Sequence, residues 1–174
     1  YETFYHPSNM ALFVIGKFDV PSLASLIESN QAKKSFEAVD ELNVTIPDEP
    51  EKVKLARKTI QLPISMSNVT IGIKEEKQSL RGEALLRQEL IQEMVLDYLF
   101  SQSGAFYERL SVKQLIDESF TYSTTVEEHY NFTLISSNTD DPALFESTVK
   151  DMLEETKQLS IDEETFQRMR NKKI

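Results

Sequence analysis

The sequence predicts an α+β fold, a mostly antiparallel sheet covered by helices on one face. In residues 79–101, Leu86, Leu90, Met94 and Tyr98 recur every fourth residue beside a second row of Ile91, Val95 and Leu99, and a stripe that wide needs other structure over it. Phe120, Tyr122, Thr124 and Val126 alternate with polar residues, as do Tyr130, Phe132 and Leu134, the two-residue period of a hairpin. The order read from the whole chain is β-α, a linker, then β-α-α-β-β-α-α. Strands that do not interleave regularly with helices favour an antiparallel sheet with a segregated helix layer.

Taken in order, Pro7-Ser-Asn9 is a turn signal before Ala11-Leu-Phe-Val-Ile15, a wholly apolar run closed by Gly16, which reads as an interior strand separate from the later sheet. Asp19 is placed to cap a helix with Pro21 in its first turn, and Leu23, Leu26 and Ile27 share one face. Residues 35–67, broken by Ile46-Pro-Asp-Glu-Pro50 and Pro63, read as a linker. Val69, Ile71 and Ile73 alternate, so they form a half-buried strand opening a second domain. The long helix of residues 79–101 packs its Leu86, Leu90, Met94, Tyr98 row on the sheet. Gly104 interrupts it, and a shorter helix follows from Phe106 to about Gln114. The hairpin turns through Glu127-Glu-His129. Asp141-Pro142 caps and starts a helix that buries Leu144, Val149 and Leu153, and Ser160-x-x-Glu163 is a capping box for a last helix with Phe166 and Met169. The domains expected are 1–34, 35–67 as linker, and 68–174.

With 29 Asp and Glu against 19 Lys and Arg, the formal charge of −10 repels phosphate backbones and anionic lipid alike, so neither nucleic acid nor membrane is an expected partner. No cysteine is present, which excludes disulfides, thiol nucleophiles and thiolate metal sites and suits a reducing, cytoplasmic location. The opening Tyr1 and the helical pattern still running at Met169-Arg-Asn-Lys-Lys-Ile174 read as an excised piece of a longer protein.

Catalytic chemistry has little to stand on. The two histidines, His6 and His129, lie in unlike contexts. Thr125-Val-Glu-Glu128-His129 fits the H-x-x-E-H pattern except that threonine replaces its first ligand, and it falls in a hairpin turn rather than on the helix that pattern needs to face two imidazoles at one metal. It reads as a solvated loop tip. Asp140-Asp141 and Glu154-Glu155 have helix-start and solvated-face roles. No phosphate loop and no nucleophile elbow exist, since Gly16, Gly72, Gly82 and Gly104 are isolated. The aromatic positions Phe120, Tyr122, Tyr130 and Phe132 are expected under the helices, which leaves Thr121, Ser123, Asn131 and Thr133 facing a cavity or solvent.

Three stretches carry a family resemblance. Tyr5-His-Pro-Ser-Asn-Met-Ala-Leu-Phe-Val-Ile-Gly-Lys-Phe-Asp19 resembles the last strand of the amino-terminal domain in the insulinase/pitrilysin zinc peptidases. Ser103-Gly-Ala-Phe-Tyr-Glu-Arg-Leu110 with Gln114-Leu-Ile-Asp-Glu-Ser-Phe120 resembles the helix-to-hairpin passage of that family's second domain in its bacterial subgroup, and Thr139-Asp-Asp-Pro142 fits the turn into the next helix. The resemblance implies a peptide-cleaving chamber made of two similar halves. It places the zinc, its ligands and the catalytic base in the amino-terminal half, so no metal, cofactor or catalytic residue is expected here. The implied partners are that amino-terminal half, a peptide substrate and a homologous partner subunit. The family's arginine and tyrosine from a stretch like R-x-E-x-Q-L-G-Y would fall on Leu110 and Asp117, so the pair is displaced. Arg109, one position away, is the candidate for gripping a substrate carbonyl or carboxylate, with Thr121, Ser123, Asn131 and Thr133 as the other substrate-facing candidates. The function so expected is the chamber wall opposite the metal of a zinc peptidase, or alternatively a non-catalytic scaffold of the same fold.

Overall fold

A computed structural model describes residues 4–37, 45–47, 50–76 and 78–173. They divide into two compact units, Tyr1–Pro47 and Asp48–Ile174. Among the described residues the first holds one α-helix, α1 (Val20–Gln31), capped by Asp19, whose carboxylate accepts the Ser22 N–H at 2.9 Å, with Pro21 in the first turn. Residues 11–15 form no strand here: Phe13 is 86% and Ile15 98% exposed. A strand exists only through ladder bonds to a neighbour, and no other described segment of this unit supplies one.

The second unit is built on a three-stranded antiparallel sheet of β1 (Ser67–Lys74), β2 (Thr121–Val126) and β3 (Asn131–Thr139) in the order β1-β3-β2. Its helices are α2 (Gly82–Phe100), α3 (Ala105–Val112), α4 (Pro142–Glu155) and α5 (Glu163–Lys173). This is the α+β arrangement that the sequence predicts. The extended residues preceding β1 are tied to this unit, with Lys74 Nζ donating to the Pro50 carbonyl and Arg57 pairing with Glu146 at 3.2 Å.

One sheet face carries the core. Val69, Ile71 and Ile73 of β1, Tyr122 of β2 and Ile135 of β3 lie against Leu96, Leu99 and Phe100 of α2, Phe106 and Leu110 of α3, and Phe145, Val149 and Met152 of α4. Phe100 is the hub, with ring centroids 5.6 Å from Phe106, 6.2 Å from Phe120 and 6.1 Å from Tyr122. Asp141 caps α4 as expected, accepting the Leu144 N–H at 2.9 Å. The last helix is capped instead by Asp162, which accepts the Thr165 N–H at 2.9 Å, two residues beyond the expected cap at Ser160. The closer carboxylate reaches the orphan amide without help from Ser160.

Helix α3 ends in a Schellman motif. Leu115 N–H donates to the Leu110 carbonyl at 3.0 Å and Gln114 N–H to that of Ser111 at 2.9 Å, with Gln114 in the left-handed region at φ 55° and Leu110 and Leu115 both buried.

The helix α2 is correctly placed but rotated from the expected face. Leu86 and Leu90 are exposed, Leu90 at 36%, whereas Leu96, Leu99 and Phe100 are buried. The face turned to the sheet includes Gln92 and Asp97, which bond to Thr124 at 2.7 Å and to the Tyr122 hydroxyl at 3.0 Å. Polar groups satisfied by strand hydroxyls sit on the covered face, so counting apolar residues alone selects the wrong stripe. Leu90→Ala should therefore change stability by no more than about 1 kcal/mol instead of the 2–5 kcal/mol of a core truncation. A urea midpoint for this variant beside the wild type checks it, and a core-sized loss would restore the original face.

Candidate functional site

The register of the hairpin decides what the open sheet face presents. Tyr122 pairs with Ile135, Thr124 with Thr133 and Val126 with Asn131, and the Glu127 N–H donates to the Tyr130 carbonyl at 3.0 Å. Glu127 thus stands opposite Tyr130, leaving Glu128-His129 as a two-residue connection rather than the expected three. One residue of register turns every side chain of the returning strand to the other face.

The expected division of the hairpin is therefore half right. Phe120 and Tyr122 lie against Phe100 under the helices, and Thr121 and Ser123 are exposed on the open face. On β3 the sides are exchanged. Asn131 and Thr133, expected to face the cavity, are 6% and 5% exposed on the helix side. Tyr130 and Phe132, expected to be covered, stand on the open face, their rings stacked at 6.1 Å and 16°.

From hairpin tip to far end, the register orders the open face in rows. Glu127 faces Tyr130, and Thr125, Phe132 and Lys74 follow. Next come Ser123, Leu134 and Gly72, then Thr121, Ser136 and Thr70, and last Asn138 with Asn68. The far rows are a ladder of small polar groups, with Thr70 Oγ1 and Ser136 Oγ 2.9 Å apart and Asn68 Nδ2 donating to Asn138 Oδ1 at 3.1 Å. Ser136, Asn138, Thr70 and Asn68 became legible as candidates only once the register was known.

Behind the face lies a polar cluster. Glu75 accepts from Gln92 Nε2, from Asn131 Nδ2 at 3.1 Å and from Thr133 Oγ1 at 3.2 Å, and Thr124 donates to Gln92. These bonds fix the upper half of α2 against both hairpin strands, so Asn131 and Thr133 act on the open face only through the strand that carries them. Burial, and next the bond to Asp97, push the Tyr122 hydroxyl up to about 12, so it stays a neutral donor at physiological pH.

Arg109 lies on α3 and forms a bidentate pair with Glu155 of α4, Nη1 to Oε2 at 2.6 Å and Nη2 to Oε1 at 2.9 Å. Its guanidinium also sits 5.6 Å above the Phe106 ring. The Arg109 bond holds the Glu155 carboxyl below its ordinary range. The side chain proposed for gripping substrate is thus engaged in joining two helices.

The two histidines lie in separate units, each beside its own partners. His6 is bonded through Nδ1 to Ser8 at 2.7 Å and through Nε2 to the Glu37 carbonyl at 3.0 Å. His129, at the hairpin tip, lies 3.6 Å from Glu128, which Arg81 also engages. Among the described residues no group of three His, Asp or Glu side chains is arranged to hold a metal. No helix among them is long and apolar enough to cross a membrane.

A family profile described as the peptidase M16 inactive domain matches residues 1–173. The chain belongs to this family. This M16 domain is 34% identical over 174 residues to a Bacillus subtilis (strain 168) protein named "Uncharacterized zinc protease YmfH". It is also similar to a solved structure titled "Crystal structure of putative M16-like peptidase from Alicyclobacillus acidocaldarius", with a TM-score of 0.85 and 33% identity over 98% of this chain. It spans 40% of the length of each of these relatives. The resemblance drawn from the strand, helix-to-hairpin and turn motifs thus identifies the family and the fold.

Proposed function

We propose that this chain is a non-catalytic wall of a peptidase chamber, opposite a half that bears zinc. The observation that carries the reading is the one-sided helix layer, which leaves a sheet face of hydroxyl, amide and aromatic groups open to an extended peptide. The family description as an inactive domain and the zinc protease named among the relatives support it. Residues 1–34 then belong to the end of the amino-terminal peptidase domain, 35–67 to a linker and 68–174 to the second domain, working in the cytoplasm. A zinc ion in the amino-terminal half would supply Lewis-acid polarisation of the scissile carbonyl. Thr121 and Ser123 touch the substrate here, Asn131 and Thr133 position the strand beside it, and Arg109 holds the helix layer.

In the full-length polypeptide, Thr121→Glu, Ser123→Glu and Ser136→Glu should each alter kcat/KM for a peptide substrate roughly tenfold, about 1.4 kcal/mol, while circular dichroism and melting temperature stay unchanged. Unaltered kinetics across all three would favour the second reading, a scaffold or homologous partner subunit with the same fold.

A further inference from the structure

The open face is not uniform, and its chemistry at the hairpin tip differs from the polar ladder at its far end. Tyr130 is 44% exposed and its ring lies nearly parallel to that of Phe132, so a platform of two aromatic faces stands where no helix covers it. An aromatic face carries negative charge density and attracts cations, arginine above all because its plane also stacks. Glu127 stands across from Tyr130 on the same face, exposed, and among the described residues it has no cationic partner. Its neighbour Glu128 differs, being engaged by Arg81 through both Nε and Nη2. Lys74, across from Phe132, has its ammonium on the Pro50 carbonyl. A ring platform beside a carboxylate that no described cation engages, in a chain of formal charge −10, is complementary to one kind of group.

We infer that Glu127, Tyr130 and Phe132 form a subsite for an arginine or lysine side chain of an extended peptide lying along the open face. The cation stacks on the rings and pairs with Glu127. The peptide backbone runs on over Ser123, Ser136 and Thr70, whose hydroxyls both donate and accept. The inference rests on the chamber-wall reading and narrows its substrates to basic peptides.

The test uses the full-length polypeptide and fluorogenic peptides identical except for arginine or neutral citrulline, with that position scanned along the peptide. At one position the wild type should show a KM roughly three- to tenfold lower for arginine, a difference that shrinks as salt is raised. Glu127→Gln and Tyr130→Leu should each bring the two KM values to within about twofold of each other, with circular dichroism unchanged, and Glu127→Lys should reverse the preference. Undiminished arginine preference in folded Glu127→Gln and Tyr130→Leu, or no preference in the wild type at any position, overturns the subsite. If the wild type cleaves neither peptide, the peptidase reading fails by itself, and fluorescence anisotropy with the same labelled peptides decides the subsite. Arginine-dependent binding weakened by Glu127→Gln sustains it, and binding indifferent to arginine overturns it.

Discussion

Phe100→Ala should destabilise the second unit by about 3–5 kcal/mol, a large share of the 5–15 kcal/mol that holds a typical domain folded. Phe100 is fully buried at the carboxyl end of α2, and its ring meets Phe106 of α3 edge-on at 63° and lies tilted against Phe120 and Tyr122 at 50° and 38°. Truncation removes the ring's own burial and also one partner from three aromatic pairs at once. The neighbours come from α3, from β2 and from the residue just before β2, all of them fixed by their own backbone bonds, so the space cannot close by collapse. The urea midpoint should fall far below that of Leu90→Ala on the same helix ten residues earlier. Similar midpoints for the two would mean that the core is not centred where α2 meets α3 and the hairpin.

That contrast marks where sequence reasoning reached its limit. The α+β class, the approximate ranges of α1 to α3, the start of α4 and the caps at Asp19 and Asp141 were legible, because each depends on local periodicity or on a carboxylate meeting an orphan amide. The face of α2 was not, because its covered side holds Gln92 and Asp97, made acceptable there by Thr124 and Tyr122, which lie 25 to 32 residues away. The hairpin was legible as a hairpin, but its register hung on a connection one residue shorter than the alternation suggested. Asn131 and Thr133 look like solvent residues until Glu75, more than 50 residues upstream, is seen to receive them. The apolar run at residues 11–15 has strand composition, yet composition cannot supply the neighbouring chain that a strand requires.

The same error of one residue governed the candidate site. With the hairpin slipped, all four aromatics fall beneath the helices and the open face is only polar. With the observed register, two aromatics stay in the core around Phe100 and two move to the open face beside Glu127. The open face thus gains the ring pair and the carboxylate from which the basic subsite is inferred. No motif carries that change, since it arises from the pairing of Glu127 with Tyr130.

Gly104→Ala should cost about 1–3 kcal/mol or more, although the glycine's backbone is ordinary. At φ −80° and ψ 143° any residue is comfortable, so the cost is steric. A Cβ there would lie 2.5 Å from the Leu99 carbonyl oxygen and 2.9 Å from that of Tyr98. Both are backbone atoms of the last turn of α2 and cannot swing aside as a side chain could. Gly104 N–H also donates to the Ser101 carbonyl at 2.7 Å, which ties the turn between α2 and α3 at the point where the methyl must enter. Relief requires α3 to move away from α2, and Phe106 then leaves Phe100. Gly72→Ala is the control, because its Cβ would meet only the Leu134 side chain at 3.6 Å and a strand gains from losing glycine. Its urea midpoint should equal or slightly exceed the wild type's while that of Gly104→Ala falls. Equal midpoints for the two alanine variants would mean that α2 and α3 tolerate separation, and that their close approach at Gly104 does not hold the aromatic core in place.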